Sequence, residues 1–130
     1  MPRREFVQES QQPQRIYPKK ETPIIELSGV STQPHRQTLD FTGSVTVHTD
    51  DNATGVIVRL RQGSPSGPIV GDDEEQMFTV DKDHDVTVEL EEAAENIGEF
   101  AARSYFLTVQ QVGGEAEGTA TSAWLKAKQR

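Results

Sequence analysis

The chain has 130 residues, 33% of them apolar, with 13 Lys and Arg against 21 Asp and Glu for a formal charge of −8, and it has no cysteine. That length fits one domain with one core; the acidic balance disfavours nucleic acid as main partner, since phosphate binding needs clustered Lys and Arg; and the lack of cysteine removes disulfides and thiolate metal sites. No apolar run approaches the roughly 18 residues that cross a bilayer, and MPRREFVQESQQPQ lacks a signal-peptide apolar segment, so synthesis in the cytoplasm and no membrane partner are expected.

Residues 1–22 hold Pro2, Pro13 and Pro18 with four glutamines, and their large aliphatic and Phe side chains are Phe6, Val7 and Ile16 alone. Such a segment cannot bury enough apolar surface to fold by itself, so it is expected to be an extended N-terminal arm ahead of a folded body at 23–127 and a short tail at 128–130. Met1 to Lys20 is basic, with Arg3, Arg4, Arg15, Lys19 and Lys20 against Glu5 and Glu9, whereas Asp72 to Glu99 carries twelve acidic side chains and one Lys. That acidic run reads as a solvated face.

Period-two alternation follows. Leu39, Phe41, Gly43, Val45 and Val47 share one face and Thr38, Asp40, Thr42, Ser44, Thr46 and His48 the other, which predicts a strand pair or one bent strand. After the turn TDDNATG, Val56, Val58 and Leu60 point inward while Ile57, Arg59 and Arg61 point outward. QGSPSGP closes that strand, MFTV and VTVEL are further strands, EEAAENIGEFAA is compatible with one helical turn, and SYFLTVQQ with TATSAWLKA makes a final hairpin with Tyr105, Leu107 and Val109 on one face. Six to eight short strands separated by turns predict an all-β fold, an antiparallel β-sandwich of jelly-roll type.

Candidate chemistry is sparse. DKDHD places Asp81, Asp83 and Asp85 at alternate positions with Glu92 twelfth, but Val86 stands where a calcium loop needs Gly, so no metal is expected. His35, His48 and His84 lack the spacing of a metal pair. GSPSG has Pro65 where a nucleophile elbow needs Ser, and adjacent acids such as Glu74 and Glu75 or Glu91 and Glu92 point to opposite faces of a strand. NAT at Asn52–Thr54 fits the composition of a turn. No catalytic residue and no cofactor are expected. The informative side chains are apolar ones in the outward phase, Ile57, Phe106 and Trp124, which mark a subunit or partner interface unless both sheet faces are covered within the domain.

Taken together, VRLRQG, GPIVG, VTVEL, SYFLTVQQVGG and GTATSAWLKA, across roughly Val45 to Ala127, resemble capsid decoration proteins and head fibres of tailed phages and related viruses. The resemblance implies a β-sandwich, commonly trimeric, that sits on the virion with its arm across the capsid lattice. On that basis Arg3, Arg4, Phe6, Val7, Arg15, Ile16, Tyr17, Lys19 and Lys20 are the expected capsid-binding arm and the major capsid protein the expected partner. The expected role is non-enzymatic: to bind the capsid surface as a homotrimer and decorate or stabilise it. The alternative is an adhesin-like or carbohydrate-binding sandwich of a tail fibre or cell-surface assembly.

Overall fold

The computed structural model describes residues 5–30, 38–49, 54–71, 77–80, 86–95, 103–113 and 117–129. Their strands are β1 (Glu5–Ser10), β2 (Gln14–Ile16), β3 (Glu21–Val30), β4 (Thr38–Thr49), β5 (Thr54–Gln62), β6 (Met77–Val80), β7 (Val86–Glu95), β8 (Arg103–Val112) and β9 (Gly118–Gln129). Two antiparallel sheets result, one ordered β1-β9-β4-β7 with β2 also paired to β9, the other ordered β3-β8-β5-β6. This order is a jelly roll, in which strands from both halves of the chain interleave in each sheet. The expected fold class is the observed one.

Alternation in the sequence explains the layering. Leu39, Phe41, Val45 and Val47 of β4 and Ala123, Leu125 and Ala127 of β9 face inward from one sheet, and Val56, Leu60, Tyr105, Leu107 and Val109 meet them from the other. Across the gap the Phe41 and Tyr105 rings are tilted by 49° with centroids 4.6 Å apart. The stretch 38–49 is a single strand, and its register on β9 slips between Thr46 and Val47, which bends it.

Two expectations are corrected. The arm expected over residues 1–22 instead contributes β1 and β2, registered on β9 from Glu5 opposite Lys128 to Ile16 opposite Gly118, and the anticipated boundary at Pro23 falls inside β3. Low apolar content did not keep this segment out of the sheet, because β9 supplies backbone partners and one fully buried residue, Ile16, seals the core beneath it. The helical turn in EEAAENIGEFAA is also replaced over residues 91–95, which continue β7 opposite Thr38 to Thr42; pairing with β4 overrides local helix preference.

β5 and β6 pair as a hairpin, Thr54 opposite Val80 through Ile57 opposite Met77. Within their connection the chain folds back along β5: Gln62 N donates to Pro68 O at 3.0 Å, Val70 N donates to Leu60 O at 2.8 Å, and Val70 is buried. Gly67 makes this return possible, since a Cβ at that position would overlap the Gln62 carbonyl. Gly67→Ala is therefore expected to lower stability by about 1–3 kcal/mol, as an overpacked substitution with a backbone shift does. Thermal melts followed by circular dichroism check it, and an unchanged midpoint would show that the turn yields freely.

Candidate functional site

With the core between the sheets, the described residues place two polar surfaces on their outer faces. On the β3-β8-β5-β6 face, Glu21 of β3, Gln110 of β8 and Arg59 and Arg61 of β5 converge. The Arg61 fork grips the Glu21 carboxylate, Nε donating to Oε2 and Nη2 to Oε1 at 3.0 Å, while its Nη1 donates to Gly67 O at 2.7 Å. Arg59 Nη1 donates to the same Glu21 Oε1 at 2.8 Å and to Gln110 Oε1 at 2.7 Å. Gln110 Nε2 in turn donates to Lys19 O at 3.4 Å.

Arg59 is only 8% exposed although it lies in the outward phase. Burial of Glu21 opposes its ionisation, but the hydrogen bond and charge of Arg61, followed by Thr108 and Arg59, outweigh that and hold the carboxyl below its ordinary value. Both guanidinium groups are thus committed to a carboxylate already in place. The cluster is a clasp that ties β3 and the Gly67 turn across β8 to β5, and it presents neither a nucleophile nor a poised acid or base.

The other outer face, on β9-β4-β7, is a trough. In register, Trp124 of β9 lies opposite Ser44 of β4, and Ser44 opposite Glu89 of β7; one step along, Lys126, Thr42 and Glu91 form the next row. Thr42, Gly43, Glu89, Leu90, Glu91 and Trp124 line the depression, which continues past Asp40 and Ala93. Lys126 Nζ sits 3.0 Å from Glu5 Oε1 on the neighbouring β1.

The anticipated site residues are scattered over these surfaces. Arg3 and Arg4 fall outside the described residues. Ile16 is fully buried and Phe6 packs against the core, so neither is an exposed anchor; Val7 and Tyr17 are exposed. Arg15 pairs with Glu117 at 2.9 Å, Lys20 Nζ lies 5.7 Å from the Tyr17 ring centroid, and Lys19, with φ 67°, donates its backbone N–H to Gln111 O at 2.9 Å. Ile57 is buried at 8% exposure and Phe106 is half-buried on the clasp face, whereas Trp124 is 37% exposed on the opposite sheet. The three therefore lie on two different outer faces of the protomer. Asp81, Asp83 and Asp85 lie outside the described residues, and among the described residues no three His, Asp or Glu side chains are grouped to hold a metal.

No family model and no curated protein matches the chain. Solved structures do. The VP2 subviral particle of infectious bursal disease virus aligns with a TM-score of 0.66 at 11% identity over 97% of this chain and 32% of its own. The T=1 particles derived from that virus give 0.63 at 9% identity, over 96% and 31% of the two chains, and the Gt strain 0.62 at 9%, over 96% and 33%. The fold is that of a viral capsid jelly roll. The chain spans about a third of the length of these capsid proteins, and at such identities the likeness is one of fold. These neighbours are viral capsid proteins, and the shared fold does not single out phage decoration proteins.

Proposed function

We propose that this chain is a non-enzymatic structural protein of a virus particle that docks on the capsid surface and decorates or stabilises it, with the major capsid protein as partner. The observation carrying this reading is the jelly-roll strand order shared across nearly the whole chain with proteins of assembled viral particles. The clasp adds support, because a face whose two arginines are already engaged by Glu21 and Gln110 suits a scaffold more than a catalyst. The docking surface in this reading is the accessible part of the β1–β2 region: Val7, Arg15, Tyr17, Lys19 and Lys20, all exposed and mostly basic.

Co-sedimentation of the full chain with capsids assembled from the capsid protein encoded beside it tests the proposal. Saturable binding is expected; a chain left in the supernatant at every ratio removes the reading. Because the attraction of Arg15, Lys19 and Lys20 for an acidic capsid would be screened over about 8 Å at physiological ionic strength, binding should weaken across a salt series. Affinity that holds or rises with salt would transfer the docking role to Val7 and Tyr17. Threefold self-association belongs to the same proposal, and Phe106→Asp should dissociate it if the clasp face is the seam. Sedimentation velocity reads this directly, and a wild-type monomer at micromolar concentration would defeat a trimer formed off the particle.

A further inference from the structure

We propose that the trough along β4 binds a neutral oligosaccharide, with a sugar ring stacked on Trp124. This inference does not depend on the capsid reading. Its first basis is shape. The outward residues on β4, Asp40, Thr42, Ser44 and Thr46, are short and make a floor, while Trp124 with Lys126 on β9 and Glu89 with Glu91 on β7 make two walls. Adjacent strands lie about 4.8 Å apart, so walls on alternate strands stand about 10 Å apart, a width that admits a pyranose ring set with its face against the Trp124 wall. Beyond Glu89, Thr46 Oγ1 and Thr87 Oγ1 hydrogen-bond at 2.9 Å; in the other direction the depression continues past Asp40 and Ala93, giving a chain of sugars room to run.

The second basis is chemistry. Trp124 is the chain's single tryptophan, and the residue is 37% exposed beside Thr42, Glu89 and Glu91 in a depression that also takes in Gly43 and Leu90. An indole has an electron-rich face, which attracts the positively polarised C–H bonds on one side of a sugar ring. The floor hydroxyl of Thr42 both donates and accepts, the carboxylates of Glu89 and Glu91 accept, and Lys126 and Lys128 donate, so the trough matches a ligand whose own hydroxyls do both. Charge narrows the class further. A polyanion would meet Asp40, Glu89 and Glu91, and a polycation would meet Lys126 and Lys128; an uncharged polyol meets no like charge.

Trp124 also supplies the test. Full-length protein is titrated with a panel of neutral gluco-, galacto- and manno-oligosaccharides while tryptophan emission is followed, with saturation-transfer NMR to identify the protons in contact. At least one panel member is expected to shift the emission saturably. Trp124→Ala should then weaken binding, read by NMR, about tenfold or more, Trp124→Phe should retain part of it, and Glu89→Gln should weaken it less than the alanine variant does. Thr42→Tyr, which fills the floor and leaves Trp124 in the chain, should block binding with an unchanged far-UV spectrum, so the test survives a Trp124→Ala chain that does not fold. No saturable response from any member, wild-type affinity in Thr42→Tyr, or stronger binding of an oligo-arginine peptide than of any sugar would overturn the assignment. Each of those results leaves capsid co-sedimentation unaffected.

Discussion

Ile16→Ala is expected to destabilise the protein by about 2–5 kcal/mol, the range for emptying a fully buried aliphatic site, and removal of residues 1–20 is expected to do more. Ile16 has no exposed surface and sits against Gly118 of β9, where a Cβ would come within 3.0 Å of Ile16 Cγ1 and 2.9 Å of the His48 carbonyl oxygen. The missing side chain at Gly118 is therefore what lets the β2 residue reach the core. Deleting β1 and β2 would also strip the ladder partners from most of β9, turning a paired strand into an exposed edge that invites association with other chains. Urea unfolding of both variants reads the effect, and light scattering reads the association. A truncated chain that unfolds cooperatively at the wild-type midpoint would show that β1 and β2 are an appendage to an already complete sandwich.

Glu21→Gln is expected to cost about 2–3 kcal/mol, because it leaves the guanidinium groups of Arg59 and Arg61 without the charge that compensates them, one of them 8% exposed. The pH dependence has a definite sign. The carboxyl is held below its ordinary value in the folded protein, so folding favours its ionised form. The resulting stabilisation is fully present above the unfolded carboxylate value of about 4.3 and is lost as pH falls through the lower folded value. Wild-type stability should drop over that acid window, and the Glu21→Gln profile should be flatter there. Parallel profiles in the two proteins would mean that the clasp contributes nothing through charge.

The strands with alternation were legible from the sequence. In β4 one face is apolar and the other polar, in β5 and β8 Ile57 and Phe106 interrupt the polar phase, and period two leaves a single solution for which face turns inward. β1 and β2 were not legible, because an edge strand that buries one isoleucine carries almost no alternating signal; its place depends on β9, more than a hundred positions away. The acidic, alanine-containing end of β7 misled for a similar reason: its composition favours helix, and only pairing with β4 makes it a strand.

Phase also told which side chains point outward but not which sheet carries them, so Ile57, Phe106 and Trp124 looked like one surface and are two. The same gap hid both surfaces described above. The outward phase of Arg59, Arg61, Thr42 and Ser44 could be read, whereas the partners Glu21 and Gln110 across β8, or Glu89 and Glu91 across from β4, are set by sheet order and register.

The strand pairings are nested. β5 closes on β6, β4 on β7, β3 on β8, and β1 with β2 on β9, so each pair encloses the one before it. Among the described strands, synthesis from the N-terminal side therefore makes β1 before the others and supplies its partner after them. Until Gly118–Gln129 has been synthesised, β1 and β2 have no ladder, β4 lacks one of its two neighbours, and Ile16 has no core to enter. Completion of this molecule is a late, long-range event, and pairings that must wait for distant chain are slow and leave strand edges open in the interval. The first of these strands to be made is the one that waits longest for its partner, which makes it the segment most exposed to pairing with another nascent copy.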